Sequence, residues 1–264
     1  FSFCKYLSTC LWYRFKIQSK MNIALIGYGK MGKAIEAIIR KHNAMHSNHM
    51  HVVAQFSKSN HPLISAAQLK GVDVAIEFTT PLTAVAHMKL CFDAGVPVVV
   101  GSTGWYHQLD EVTAYCKEKN GALLYAANFS IGVNLFFKIN AMMASLMQSQ
   151  PQYQLSISET HHTQKLDAPS GTAIKTAQVI LENWSHKNTW KLAPTTDENA
   201  IPITAHRVEH VPGTHEVIYR STVDEIQLTH TAFSRDGFAE GAVTAAQWLL
   251  NKNGVFTMQD VLAI

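Results

Sequence analysis

The chain has 264 residues, 47% of them hydrophobic, and a formal net charge of +3 at neutral pH. This length can bury the cores of two modest domains, and so small and scattered a charge does not favour nucleic-acid binding. The apolar runs are shorter than the roughly 20 residues that a membrane span needs, so no membrane association is expected. The spacing of the four cysteines offers no disulfide framework, which favours a reducing, cytoplasmic location.

Residues 1–20 mix aromatic and basic side chains ahead of a clean strand that begins at Met21. They lack the uninterrupted apolar core and the small-residue cleavage site of a secretory signal. We therefore expect these residues to be a leader that is non-native or disordered, and dispensable for the fold.

The first predicted strand, residues 22–27, leads through a glycine-rich turn into a helix with apolar residues at helical spacing. In this context the G-x-G-x-x-G pattern predicts dinucleotide binding, while the alternative is an ordinary tight turn. The first glycine would permit the turn, the second the approach of the pyrophosphate, and the third close packing of helix on strand. The predicted cofactor contacts here are Gly27, Tyr28, Gly29, Lys30, Met31 and Gly32.

Four histidines, His42, His46, His49 and His51, lie around the start of the second strand. No cysteine or carboxylate accompanies them, so they lack a typical set of metal ligands. We predict a solvated helix end and loop there, and no metal site in the protein.

The second strand, residues 51–56, ends in Ser57 and Lys58. Rossmann proteins that are selective for NAD carry an acidic residue at this position to hold the ribose 2′-hydroxyl. The hydroxyl of Ser57 and the ammonium group of Lys58 are better suited to the 2′-phosphate of NADP. The alternative is that Lys58 is an ordinary surface residue. We expect NADPH or NADH to serve as cofactor, with a modest preference for NADPH.

Strands predicted at residues 72–78, 96–100 and 123–127 alternate with helices, which indicates the parallel sheet of an α/β fold. Ligands of such sheets gather at the carboxyl ends of the strands. Further cofactor contacts are therefore predicted at Phe78, Thr79, Gly101, Ser102, Thr103, Ala126, Ala127, Asn128 and Phe129.

The second half of the chain predicts an α+β domain. A long apolar-faced helix from Ile131 precedes strands at 153–160, 203–208, 215–221 and 224–232, and a closing helix starts at Ala239. The last three strands are predicted to be hairpin-like, within an open mixed sheet that helices cover on one face. The polar segment 182–199 is predicted to be a long loop.

Residues 156–174 hold the densest group of chemically active side chains. Two histidines, a lysine and an aspartate lie between a strand and a Pro-Ser-Gly-Thr turn that opens a helix. The free N–H groups of a helix N-terminus suit a carboxylate or phosphate, and histidine works as an acid or base near neutral pH. The alternative is a polar loop capped by Ser170, with histidines at the surface.

This stretch resembles the signature of the dihydrodipicolinate reductase family. The residues that carry the resemblance are Glu159-x-His161-His162-x-x-Lys165-x-Asp167-x-Pro169-Ser170-Gly171-Thr172-Ala173. The loops after the third, fourth and fifth strands also resemble that family's nicotinamide-side loops, although Ser102 stands where threonine is common. The resemblance covers nearly all of residues 21–264.

The resemblance implies a Rossmann-like dinucleotide-binding domain, residues 21–129 plus 236–264. It also implies a second α+β domain, residues 130–235, that binds substrate and forms a homotetramer. The implied reaction is the NADPH- or NADH-dependent reduction of 4-hydroxy-tetrahydrodipicolinate, with loss of water, in lysine and diaminopimelate biosynthesis.

The resemblance also implies roles for individual residues. His161 and Lys165 would supply protons, and Arg235 would meet the cofactor at the domain junction, unless it is a surface residue at a helix start. Asp167 would either orient Lys165 or cap the turn. The implied contacts of the dicarboxylate substrate are His162, Lys165, Ser170, Gly171 and Thr172.

Two other functions are compatible with the first domain alone. Another two-domain NAD(P) enzyme, such as an aspartate or homoserine dehydrogenase, would lack the His-His-x-x-Lys and Pro-Ser-Gly-Thr run. A non-catalytic nucleotide sensor of the same fold is expected to have lost His161 or Lys165, and both are present.

Overall fold

A six-stranded and a five-stranded β-sheet organise this protein. The structure, a computed structural model, describes residues 20–45, 49–57 and 64–264. The predicted leader, apart from Lys20, lies outside the described residues, as do His46 and Lys58. Lys20 pairs with His49 in the first sheet, so the first strand begins one residue before the predicted boundary.

The strands of the six-stranded sheet pair in parallel. They are β1 (Lys20–Ile26), β2 (His49–Phe56), β3 (Val74–Glu77), β4 (Val98–Val100), β5 (Ala122–Tyr125) and β11 (Gly254–Phe256), in the spatial order β11-β5-β4-β3-β1-β2. The central strands are continuously apolar because helices cover both faces of the sheet, as is usual for parallel sheets. The predicted α/β fold with a Rossmann-like sheet is confirmed.

Helices cover this sheet in two layers. The helices α1 (Lys30–Met45) and α6 (Asp236–Leu249) pack on one face, and α2 (Pro81–Asp93) and α3 (Leu109–Glu118) pack on the other. The apolar residues of α1, such as Ile35 and Ile39, recur at the spacing that places them on one side of a helix. Alanines of α6 complete the same core, and their small side chains let the two helices approach closely.

The end of the chain returns to the first sheet. After α6, the strand β11 pairs with β5, with Val255 opposite Leu123, and the short helix α7 (Met258–Leu262) follows. The sequence analysis did not predict β11. Three residues are too few to show a strand period, and their partner strand lies far earlier in the chain.

The five-stranded sheet is mixed, as predicted. Its strands are β6 (Gln154–His161), β7 (Thr189–Leu192), β8 (Ala200–Arg207), β9 (Gly213–Arg220) and β10 (Glu225–Ala232), in the order β10-β9-β6-β8-β7. The pairs β6–β8 and β7–β8 are parallel, whereas β6–β9 and β9–β10 are antiparallel. The helices α4 (Ile131–Met147) and α5 (Gly171–Leu181) cover one face and share its core.

Two predictions about this sheet were wrong. Residues 182–199 are not all loop, because residues 189–192 form the edge strand β7. The strands β8 and β9 do not form a hairpin, because β6 lies between them and pairs with both. Alternating polarity shows that a segment is a half-buried strand, but it does not choose the partner strand.

Two of the histidines around the second strand lie where they were predicted, His42 near the end of α1 and His51 on β2. His49 was predicted to lie in a loop, but it also belongs to β2, where its side chain is exposed. Among the described residues, no helix is long and apolar enough to cross a membrane.

Candidate active site

The glycine-rich turn between β1 and α1 has the backbone geometry that its sequence requires. Gly27 has a φ of +98°, and a Cβ there would lie 2.1 Å from the carbonyl oxygen of Phe78. A Cβ at Gly32 would lie 2.7 Å from the carbonyl oxygen of Gly27, whereas a Cβ at Gly29 would meet nothing within 4 Å. Gly27 and Gly32 therefore serve packing within the protein, and Gly29 leaves open space beside the backbone.

Tyr28 in this turn is held by a polar network on α1. Its hydroxyl donates to Glu36, which also accepts from Arg40 at 2.9 Å and from Gln55 of β2 at 3.1 Å. The hydrogen bond from Tyr28 is the largest cause that lowers the pKa of Glu36. Ser57 follows β2 at the same edge of the sheet and is partly buried, and the predicted contact Lys58 lies outside the described residues.

The predicted strand-end loops meet at one edge of the first sheet. The backbone N–H of Thr79 donates to the Ser102 hydroxyl at 2.8 Å and to the buried carboxylate of Glu77 at 3.1 Å. The rings of Phe78 and Phe129 lie 5.8 Å apart. The loops after β3, β4 and β5 are thus next to one another, as expected for the carboxyl edge of a parallel sheet.

A cavity of about 450 Å³ opens between this edge and the second sheet. The side chains around it come from both sheets and include histidines, lysines and an arginine. Its lining includes the predicted residues Ala127, Asn128, His161, His162, Lys165, Ser170, Gly171, Thr172 and Arg235. The sequence analysis did not assign several others: Lys175, Pro212, Gly213, His215, His230 and Phe238.

His161 lies at the end of β6 and is 7% exposed. Its Nδ1 faces Oε2 of Glu159 at 3.4 Å, because alternate residues of a strand share a face. Burial lowers the pKa of His161, the cations Lys165 and Arg207 lower it further, and Glu159 opposes them. A buried imidazole with this pKa gives up a proton readily.

Lys165 and Asp167 form an ion pair in the loop after β6. The Lys165 ammonium donates to both carboxylate oxygens of Asp167, at 2.8 and 2.9 Å. This contact is also the largest cause that lowers the pKa of Asp167. Of the two roles considered for Asp167, the structure therefore shows contact with Lys165.

The start of α5 faces the cavity. Ser170 is the N-cap, and its hydroxyl accepts from the Ala173 N–H at 3.2 Å. The first N–H groups of a helix have no partners within the helix, so those of Gly171 and Thr172 are available at the cavity wall. Together with the helix dipole, they favour a bound carboxylate.

The side chains of Arg235 and His162 lie next to each other at the wall of the cavity. A guanidinium nitrogen of Arg235, the residue before α6, is 3.3 Å from Nε2 of His162. The cavity therefore has cationic groups on both the α5 side and the α6 side.

Four polar residues near His161 had no assigned role from the sequence. They are Glu159, Arg207, His215 and His230. Glu159 pairs with His215 across β6 and β9, and His215 pairs with His230 across β9 and β10. Glu159 belongs to the signature run, but its alignment with His215 and His230 depends on the register of three strands, which no local pattern specifies.

Glu159, His161 and His215 place atoms that could bind a metal ion within 4.8 Å of one another. One oxygen of Glu159 already accepts the Ser170 N–H at 2.9 Å and lies 3.5 Å from the Arg207 guanidinium. A neighbouring guanidinium repels a cation, so this donor set fits a hydrogen-bonded cluster better than a metal site.

The fold and the cavity define a class: oxidoreductases that hold a dinucleotide at the edge of a Rossmann-like sheet and a substrate on a second sheet. Comparison with known proteins identifies the family. Residues 21–129 match the model of the N-terminus of dihydrodipicolinate reductase, and residues 132–262 match that of its C-terminus. The chain belongs to the dihydrodipicolinate reductase family.

Individual proteins similar to this chain support the same family assignment. A 4-hydroxy-tetrahydrodipicolinate reductase of Christiangramia forsetii is 47% identical, covering 92% of this chain and 98% of its own. The Chromobacterium violaceum enzyme of the same name is 36% identical with the same coverage. A solved dipicolinate-bound dihydrodipicolinate reductase from Paenisporosarcina sp. TG-14 is 25% identical, with a TM-score of 0.74 over 90% of this chain and 97% of its own.

The chain is therefore an NAD(P)H-dependent oxidoreductase with the family's reductase role in lysine and diaminopimelate biosynthesis. Both matching models belong to one reductase family, so another dehydrogenase or a nucleotide sensor is not favoured.

Proposed function

We propose that this chain reduces 4-hydroxy-tetrahydrodipicolinate in the cavity between its two sheets. The observation that carries this assignment is the set of anion-binding and proton-donating groups on one wall. His161 is surrounded by His162, Lys165 and the free N–H groups at the start of α5. These groups lie opposite the strand-end residues Ala127 and Asn128. The dipicolinate bound to the Paenisporosarcina relative supports a six-membered nitrogen-containing ring with two carboxylates as the ligand.

The substrate's carboxylate is assigned to the start of α5. The N–H groups of Gly171 and Thr172 would donate to it, and Lys165 and His162 would supply charge and a further hydrogen bond. Asp167 keeps the Lys165 ammonium near this position before the substrate arrives. Fixing the carboxylate fixes the ring against the nicotinamide side of the first sheet.

The cofactor supplies hydride to the substrate ring from the first sheet. The proposed contacts are those of the glycine-rich turn, of Ser57 and Lys58, of the three strand-end loops and of Arg235. The open space beside Gly29 fits close approach of a pyrophosphate to the backbone.

Hydride addition at carbon leaves an electron-rich nitrogen–carbon system in the ring, and a proton must follow. His161 is assigned as the acid or base that moves this proton, and Lys165 as a second donor that also stabilises developing charge. Water is lost before this step: the C4 hydroxyl leaves together with a proton from the adjacent ring carbon, which gives the conjugated ring that accepts the hydride.

The two halves of the chain divide the work in this proposal. Residues 21–129 with 236–264 bind the dinucleotide, and residues 130–235 bind substrate and form the subunit contacts. The pairing of β11 with β5 and the packing of α6 on α1 support the assignment of the C-terminal segment to the first part.

A homotetramer is proposed through the second sheet. Its face opposite α4 and α5 carries partly exposed side chains such as Ser158, Thr214 and Glu216. An exposed apolar stripe on α4, formed by Leu135, Ile139, Met142 and Leu146, adds a surface that an assembly would cover.

A cytoplasmic location is also proposed, since the described cysteines, Cys91 and Cys116, are free thiols.

Substrate-dependent oxidation of NADPH and NADH by the purified chain tests the reaction. The substrate is generated in the assay from pyruvate and aspartate semialdehyde by its synthase. We expect oxidation of both cofactors only when both precursors and the synthase are present. No substrate-dependent oxidation would overturn the assignment, and light scattering of the same sample tests the tetramer.

A further inference from the structure

Glu159 is a buried acidic side chain beneath the cavity with no role in the reaction so far. It is fully buried on β6, two residues before His161 and on the same face. Its Oε1 accepts the Ser170 N–H at 2.9 Å and lies 3.5 Å from a guanidinium nitrogen of Arg207. One carboxylate oxygen thus fixes the residue that begins α5.

The other carboxylate oxygen faces the imidazole of His161. Oε2 of Glu159 and Nδ1 of His161 are 3.4 Å apart, and neither atom has a hydrogen-bond partner among the residues that the structure describes. Buried polar atoms are nearly always paired. Two unpaired atoms at this distance form a hydrogen bond as soon as Nδ1 carries a proton and the ring moves slightly, as active-site hydrogen bonds do when substrate binds.

His215 does not compete for this oxygen. Its Nε2 is 3.7 Å from Oε2 of Glu159 but 3.2 Å from the Ser170 hydroxyl. That hydroxyl already accepts the Ala173 N–H, so its own proton is free for His215. Burial lowers the pKa of His215 to about 3, so its ring is neutral and can accept.

The opposite edge of the His161 ring is open toward the cavity. A Cβ at Gly213, which lines the cavity, would lie 3.0 Å from Nε2 of His161. A glycine at this position therefore leaves room for a ligand atom beside Nε2.

We propose that Glu159 is a positioning residue for the reduction. It holds Nδ1–H of His161, so that Nε2 is the atom that exchanges the proton with the substrate. The same carboxylate holds the start of α5, so the proton donor and the carboxylate site keep a fixed separation. This inference rests on the proposed role of His161, and its tests separate the two.

The charged and titratable groups around His161 come from five elements. They are Glu159 on β6, Lys165 and Asp167 in the next loop, Arg207 at the end of β8, His215 on β9 and His230 behind it on β10. Lys165 and Arg207 disfavour the imidazolium, and Glu159 and Asp167 favour it. Without the charge of Glu159, the protonated form of His161 exists only at lower pH.

The substitution Glu159→Gln tests this role in the full chain. Glutamine keeps the size and an acceptor oxygen for the Ser170 N–H, but it places an amide donor or an uncharged oxygen against Nδ1. We expect kcat to fall by about 10- to 100-fold, with KM for NADPH unchanged. The alkaline limb of the kcat profile is expected to move to lower pH, which a purely structural role would not cause.

Glu182→Gln is the matched control. Glu182 lies at the other end of α5 with a 65% exposed side chain and pairs with Lys175 at 3.8 Å. We expect wild-type kcat and an unchanged pH profile for this variant. An equal loss in both variants would overturn the proposal.

A double mutant separates this inference from the proposed function. If Glu159 acts through His161, Glu159→Gln in the His161→Gln background causes no further loss of kcat. Additive losses, or an unmoved pH limb in Glu159→Gln alone, would show that Glu159 does not act through His161. Full turnover in His161→Gln would instead refute the proton-transfer role itself.

A measurement on the wild-type chain does not depend on the folding of any variant. The ¹⁵N chemical shifts of His161 report which ring nitrogen carries the proton in the neutral form. The proposal expects a proton on Nδ1. A proton on Nε2 would overturn it.

Discussion

At the scale of single residues, the two proposed proton donors have very different surroundings. His161 is buried, which lowers its pKa, whereas Lys165 stands in a loop and is held by Asp167. Burial leaves the His161 imidazole few competing partners, so a small movement of the ring is enough to bring it into its working position. Lys165 must exchange Asp167 for the substrate's carboxylate, so it contributes to binding as well as to charge stabilisation.

We expect His161→Ala and Lys165→Ala each to lower kcat by about 100-fold or more, the scale of losing a positioned proton donor. NADPH affinity should barely change, because His161 lies at the end of β6 and Lys165 in the loop after it, not in the loops of the first sheet. Steady-state kinetics and fluorescence titration with NADPH check these outcomes. The exposed His186 provides the control His186→Ala; near-wild-type kcat in both site variants would refute the assigned roles.

The pH dependence follows from the lowered pKa of His161. If the protonated ring donates, kcat/KM declines as pH rises through the pKa of the free enzyme, which lies below the ordinary histidine value. A bound dicarboxylate favours the charged ring and raises that pKa. We therefore expect the alkaline limb of kcat at a higher pH than that of kcat/KM; the reverse order in full pH profiles would contradict proton donation by His161.

At the scale of elements, the site is made from the ends of strands and the starts of helices. The parallel strands of the first sheet end at one edge, where their loops contact one another. The strand β6 and the helix α5 meet in the same way on the second sheet, with Glu159 joining them. Both arrangements place backbone N–H groups where ligands bind, with little dependence on long, flexible side chains.

The glycine-rich turn gives a prediction that separates fold from binding. Gly29→Ala adds a methyl group in open space, so the melting temperature should stay within error while NADPH affinity falls by about tenfold or more. Gly27→Ala is the contrasting variant, because its Cβ meets a backbone carbonyl at 2.1 Å and its φ is positive. We expect Gly27→Ala to lower the melting temperature as well, as thermal denaturation and NADPH titration would show. Unchanged NADPH affinity in Gly29→Ala would argue against pyrophosphate binding at this turn.

At the scale of the whole molecule, the cavity is completed where the chain returns from the second sheet to the first sheet. The segment after β10 brings Arg235 beside His162 and then packs α6 and β11 on the first sheet. The chain thus connects the two sheets twice: α4 leads from the first sheet to the second, and α6 leads back to the first. Closure of the cavity over both ligands would exclude water from the reacting atoms.

The residues that follow β2 at the edge of the first sheet are expected to set the cofactor preference. We expect kcat/KM to be modestly higher with NADPH than with NADH. No carboxylate follows β2 in the sequence, and a surface ion pair with a 2′-phosphate contributes about 0–1 kcal/mol, which supports a preference of several-fold. Added salt should narrow the difference, and Lys58→Ala should abolish it. Kinetics with both cofactors decide this; a strong NADH preference that the substitution leaves unchanged would refute the interpretation.

The sequence alone determined the features that depend on local physics. Short apolar runs predicted five of the six strands described in the first sheet, and the glycine spacing predicted the turn at Gly27. The run from Glu159 to Ala173 placed His161, Lys165 and the start of α5 in one stretch, because a strand, a loop and a helix start are local structures.

Only the tertiary structure decided which distant segments meet. The position of β6 between β8 and β9, the edge strand β7 and the return of β11 all depend on partners far away in the chain, which periodicity cannot specify. The same holds for Glu159 and its neighbours, since the register of β6, β9 and β10 aligns the carboxylate with His215 and His230. The sequence places Glu159 in the signature run, but its effect on His161 comes from burial and charge that only the assembled fold creates.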